Sequence, residues 1–270
     1  MRRSLGGLLL LVAGGLFALS ISTLWLDRVA FSPSADTDNT FAIIGDEDIR
    51  SQIATLVATV DGPTLGMSPN ALKITIEGLT GRRAMATEMR FFVAEAHRVV
   101  IGDSDGPVEI TGPEQVQIVR NEAVALLDPI RLPVAEVGSL SLIKTITGWT
   151  WLVTGGAAIV TMLIGLFLRP ERGEFAFAFG LGCAATGVMI VFNGYVVPAA
   201  VLPQLSEDVW IAVIPRLATK DRTFTLIGAF VFLAIGALAT FGTTGLRQRR
   251  QRSTPLAATR YREQQRWTAR

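Results

Sequence analysis

A single cysteine, Cys183, and a single histidine, His97, occur in 270 residues. One cysteine excludes an intramolecular disulfide and any cysteine-based metal cluster. One histidine excludes zinc centres built on two or three imidazoles. Charge is scarce too: 18% of residues are charged, against about a quarter in an ordinary soluble domain. There is no Gly-x-Ser-x-Gly, no His-Glu-x-x-His and no phosphate-binding glycine loop. No catalytic, cofactor-binding or metal-binding residue is therefore expected, and the chain reads as non-enzymatic. No internal repeat of fixed period is visible.

What is present is apolar sequence. Half of the residues are hydrophobic, and the mean hydropathy is +0.43. A hydrocarbon core of about 30 Å needs about 20 apolar residues in a helix. Four stretches qualify: 5–26, 149–168, 175–203 and 224–246. Residues 169–174 leave room only for a tight hairpin between the second and third. The first stretch follows Arg2 and Arg3, and Ala18-Leu19-Ser20 loosely resembles a signal-peptide cleavage site. Signal h-regions run about 7–15 residues, whereas here the apolar run continues through Ile21, Leu24, Trp25 and Leu26. A retained membrane anchor is the expectation. None of the four stretches contains Asp, Glu, Lys or Arg.

Arginine placement predicts the topology. Arg2 and Arg3 precede the first span, Arg169 and Arg172 sit in the hairpin, and eight arginines follow the fourth span. All fall on one side if both termini are cytoplasmic. Residues 1–4, the hairpin 169–174 and the tail 247–270 are then inside. Segment 27–148 and the loop 204–223 are outside. Segment 27–148 carries 17 acidic and 10 basic side chains, net −7, while the tail carries eight Arg and one Glu, net +7. Trp25, Trp149 and Trp151 fall at the outer ends of their spans, where amphipathic rings prefer the headgroup level.

Segment 27–148 is long enough for one domain with its own core. The fold class predicted is a four-span α-helical membrane protein with a mainly helical (α+β) extracytoplasmic domain between spans one and two. Residues 32–40 read as a polar linker and Thr40 to Ile44 as a short strand. Asp46 caps a helix with an apolar stripe of Ile49, Ile53, Leu56, Val57 and Val60, halted by Asp61-Gly62-Pro63. Ala71 to Leu79 is ambiguous: Lys73 to Glu77 alternates like a strand, yet Ser68-Pro69 suits a helix start. Met85, Met89, Phe92, Val93, Ala96, Val99 and Val100 share one helical face ended by Gly102. Val108 to Ile110 suits a short strand. Pro113 opens another helix with Val116, Val119, Ala123 and Leu127 inward. Pro133 to Ile143 reads as extended. In the loop 204–223, Ser206 caps an apolar helix that lies on the outer leaflet or forms a lid beneath the domain.

Two residues stand out as candidate functional positions. His97 is the sole imidazole, suited to pH sensing or general base catalysis. It falls off the apolar stripe, so a solvated or half-buried surface histidine is the plainer expectation. Asn193, followed by Gly194 and Pro198, is the strongest polar residue within the spans. It fits a broken helix lining a substrate path, or an amide bonded to a neighbouring helix, and the second is preferred. Asp103-Ser104-Asp105-Gly106 resembles part of a calcium loop but lacks the remaining ligands; a solvated turn is expected. Gly14, Gly180, Gly182, Cys183, Ala184, Gly187 and Gly236 are small residues suited to close helix packing.

The layout of one span, an outer domain, three further spans and an Arg-rich tail, with Ala94-Glu95-Ala96-His97-Arg98-Val99-Val100 ahead of a Pro-Val strand, resembles a broad set of uncharacterised actinobacterial membrane proteins. That resemblance implies no mechanism. The function expected is a non-enzymatic envelope protein of the cell membrane whose outer domain binds a protein or lipid partner. The alternative is a small transporter or transporter subunit. The bilayer is the expected surrounding, with anionic lipid at the Arg-rich tail, no cofactor and no nucleic acid.

Overall fold

The computed structural model describes residues 2–168 and 172–242. Among these, four helices are long and apolar enough to cross a membrane: Leu5–Ala30, Gly138–Phe167, Gly173–Leu205 and Arg222–Gly242. The hairpin residues 169–171 and the basic tail 247–270 lie outside the described residues. The described residues divide into two compact units, one of 2–21, 152–168, 172–189 and 227–242, the other of 22–151 and 190–226.

The second unit holds the domain. Its elements in chain order are the end of α1 (Arg2–Ala30), α2 (Thr37–Ile44), α3 (Glu47–Leu65), α4 (Pro69–Thr80), α5 (Arg83–Val100), β1 (Val108–Ile110), α6 (Gly112–Val119), β2 (Ile130–Leu132) and the start of α7 (Gly138–Phe167). The strands pair antiparallel with Glu109 opposite Arg131. Asp46 caps α3, accepting from the backbone N–H groups of Asp48 and Ile49. Ile49, Ile53 and Val57 are buried at helical spacing. On α5 the whole stripe from Met85 to Val100 is buried. These faces meet in one core with Ile43, Ile44, Leu72, Ile76, Ile110 and Leu140.

Several local expectations are corrected. Thr40 to Ile44 is helical, not a strand. Asp36 caps that helix, and Thr40, Ile43 and Ile44 are buried at i, i+3 and i+4. Residues 69–80 resolve to a helix, with Ser68 as cap and Leu72, Ile76 and Thr80 on the inner face; the alternating Lys73 and Glu77 form an i,i+4 ion pair at 3.7 Å. Pro63 does not stop α3, which runs on to Gly66 at φ 65°. The acceptor Pro63 leaves free, Thr59 O, belongs to an exposed residue. In α6 the fully buried side chains are Gln115 and Ile118; Val119 packs against the core partly buried, and Ala123 is exposed. Residues 138–143 are already helical.

Of the two forms expected for segment 204–223, the structure shows the one packed against the domain, with Asp208 rather than Ser206 capping its first turn. A 3₁₀ turn, Val209–Ala212, leads into α9, Val213–Lys220. Trp210, Val213, Ile214 and Leu217 are buried in the domain core, and Arg216 reaches Asp46 at 3.0 Å. Its apolar face is covered by protein, so it is not an interfacial helix on a lipid surface. The third span continues beyond α8 (Arg172–Val191) as a π-helix, Phe192–Val201, containing Pro198.

The first unit contains the remaining lengths of the spans, ending with α10 (Arg222–Gly242). Small residues set its closest approaches. A Cβ on Gly14 would lie 3.1 Å from Gly182 Cα, and one on Gly236 would lie 2.7 Å from Gly180 O. Backbones touching at glycine gain packing contacts that a larger side chain would forbid.

Candidate functional site

His97 is buried, with 2% of its surface exposed, which corrects the surface expectation. The last turns of α5 face the end of α1, where His97 Nε2 donates to Ala30 O at 3.0 Å. Burial pushes its pKa down to about 4, against the pull of the Ala30 carbonyl and aided by the positive charge of Lys144. A neutral imidazole with a fixed backbone partner is a tether rather than a base poised near neutral pH. Lys144 of α7 forms an ion pair with Asp103, and Ser104 Oγ donates to Glu95 Oε1 at 2.5 Å. The loop 103–106 is thus tied into the domain by its own hydrogen bonds. Among the described residues no group of three His, Cys, Asp or Glu side chains could hold a metal ion.

Asn193 lies in the first turn of the π-helix and is 9% exposed. Its amide donates to Ser22 Oγ of α1 at 3.0 Å. Gly194 lies beneath Trp25: a Cβ there would sit 2.5 Å from the indole Cδ1. Trp25 in turn stacks on Phe224 at 5.1 Å and donates to Thr225 Oγ1 at 3.1 Å. The structure does not bring His97 and Asn193 together by any hydrogen bond; each serves a different part of α1.

Three features escaped the sequence reading. Asp61 is fully buried on α3, and neither carboxylate oxygen has a hydrogen-bond partner among the described residues. Burial pushes its pKa up to about 6. Its place beside Gly62 and Pro63 read as a helix stop and hid it. Gln115 is buried, donating to Ile110 O at 3.1 Å and Asp128 O at 2.9 Å. Phe91 is 60% exposed, with Arg90 stacked on its ring at 4.6 Å. Phe91 borders a groove of about 370 Å³ between α5, β1 and the start of α6. Phe92 and Ala94 form its apolar part, and Glu95, Arg98, Glu109 and Glu114 its charged part. The exposed Phe91 beside the buried Phe92 was the available signal.

Four apolar helices of spanning length define a multi-pass helical membrane protein. No protein-family model, curated protein or solved structure matches the chain.

Proposed function

We propose that this is a non-enzymatic protein of the cell envelope, with both termini cytoplasmic, whose domain between the first two spans faces outward and docks a protein partner. The proposal keeps it with the actinobacterial-type four-span proteins that its layout resembles. The observation that carries the reading is the Phe91 groove. A large aromatic exposed beside buried apolar side chains and rimmed by charge is the surface chemistry of protein docking. Arg98 pairs with Glu95 and Arg131 with Glu109, and Glu114, which no ion pair among the described residues offsets, favours a cationic protein segment over an anionic lipid headgroup. The Arg-rich tail suits anionic lipid on the opposite side. The test places p-benzoylphenylalanine at position 91, and at the exposed Val60 as control, in intact cells. A discrete cross-linked protein at position 91 and none at position 60 supports docking. No adduct at position 91, or the same adducts at both, contradicts it.

The π-helix favours a second reading, a small transporter or transporter subunit. Such irregular turns often occur at functional sites, and this one has Asn193 in its first turn. Against it, the Asn193 amide is already spent on Ser22. Gradient-driven uptake by the purified protein in liposomes, abolished by Asn193→Leu in a folded variant, would establish transport. Its absence under imposed pH and sodium gradients leaves the docking reading in place.

A further inference from the structure

The sheet has only two strands, so β1 has one edge with no strand beside it. Val108 faces Leu132, Glu109 faces Arg131 and Ile110 faces Ile130. Along an antiparallel pair, facing residues alternate. One pair exchanges both backbone hydrogen bonds, and the next points its N–H and C=O groups away from the partner strand. Prolines fix which is which. If Glu109 and Arg131 were the bonded pair, the next bonds would join residue 107 to 133 and residue 111 to 129. Residues 107, 129 and 133 are prolines with no N–H to give, and Thr111 N–H donates to Glu114 Oε2 at 2.8 Å. A single bonded pair cannot make two three-residue strands. The bonded pairs are therefore Val108–Leu132 and Ile110–Ile130, and Glu109 N–H and C=O point out from the free edge of β1.

Neither of these two backbone groups has a hydrogen-bond partner among the described residues. Buried backbone groups are nearly always paired, so an unpaired N–H and C=O lie where water or another chain reaches them. Pro107, Glu109 and Thr111 line the Phe91 groove together with Phe91 and Ala94 of α5. An open strand edge is a template for a further strand. Here the register is set, because Pro107 and Thr111 have no N–H to offer and Glu109 alone can exchange a pair of bonds. We infer, on the strength of the docking reading, that the partner segment in the groove is extended and adds to β1 as a third strand, exchanging two backbone hydrogen bonds with Glu109. Main-chain bonds give such a segment its affinity and alternate side chains its specificity. An apolar side chain suits Phe91 and a basic one suits Glu114.

Intact cells carrying p-benzoylphenylalanine at position 91 are compared in three backgrounds: the parent, Glu109→Pro and Arg131→Pro. Proline at 109 removes the outward N–H and no bond of the ladder, which is where strand edges accept proline. Arg131 holds the matching place on β2, so proline there also spares the ladder, and it does not line the groove. The position-91 adduct should fall at least about tenfold in Glu109→Pro, as a loss of about 1.4 kcal/mol would, and stay within about twofold in Arg131→Pro. A second measurement needs neither variant. The photo-cross-linker at the exposed Pro107 should capture the same protein as at 91, and at Arg131, whose side chain is 77% exposed, it should capture none. An undiminished adduct in Glu109→Pro, an equal loss in Arg131→Pro, or capture at 131 as strong as at 107 would each overturn strand addition and leave docking at Phe91 in place. No adduct at position 91 in the parent overturns both.

Discussion

At the scale of single residues, two buried titratable groups pull stability in opposite directions with pH. His97 has a folded pKa of about 4 against an ordinary 6.5. Its folded form stays neutral while the unfolded chain takes a proton, so its contribution is lost as pH falls from about 6.5 toward 4. The full loss is about 3 kcal/mol. His97→Gln keeps an amide donor for Ala30 O and cannot titrate. Its melting temperature should fall less than the parent's between pH 7.5 and 4.5. Equal falls would place the imidazole in water. Asp61 is the reverse case, with a folded pKa raised to about 6 from 3.8. Its contribution is complete below about 3.8 and lost as pH rises through 6. Asp61→Asn should therefore stabilise the protein at pH 7.5 by on the order of 2 kcal/mol and lose that advantage near pH 4. A variant less stable than the parent at pH 7.5 would mean that a cation pairs with this carboxylate.

At the scale of elements, legibility in the sequence tracked how far local signals agreed. The cap Asp46, the stripe Ile49–Ile53–Val57 and the acidic first turn all point to one helix, and α3 is there. The stripe of α5 was equally plain. The sequence misled where a polar side chain is satisfied by distant backbone. Gln115 is inside because Ile110 O and Asp128 O accept from it; neither partner is visible in a hydropathy pattern, and α6 read one position out of register. His97 was misplaced for the same reason, since Ala30 O lies 67 residues away in sequence. The apolar loop 204–223 left a place on the lipid and a place against the domain equally open, because its cover comes from helices far earlier in the chain. Gln115→Leu tests this directly. Hydropathy alone favours the leucine in a buried site. Loss of the amide removes its bonds to the buried Ile110 carbonyl and to the exposed Asp128, which should instead cost about 1 kcal/mol in chemical denaturation. A variant as stable as the parent would remove Gln115 as the link between β1 and the approach to β2.

At the scale of the molecule, spans were the most legible feature, because a run of about 20 apolar residues has few other uses. Their lengths were less so. Helices α1 and α7 continue beyond the apolar runs, carrying Asp27 and Lys144, and their continuations belong to the domain's unit. The Phe91 groove was legible only in part: the stripe of α5 takes in Phe92 and leaves Phe91 outside it, but the facing wall comes from β1 and the start of α6. The central claim, an outward domain on a four-span chain with both ends inside, rests on arginine placement, and sidedness is what tests it. The measurement is proteolysis of intact spheroplasts carrying a C-terminal epitope tag, with an antibody to segment 27–148 as second readout. The account predicts cleavage confined to exposed domain turns such as 66–68 and 103–106, a shielded segment 209–218, and an intact tag until the membrane is permeabilised. Loss of the tag from sealed spheroplasts, with the domain left whole, would contradict it.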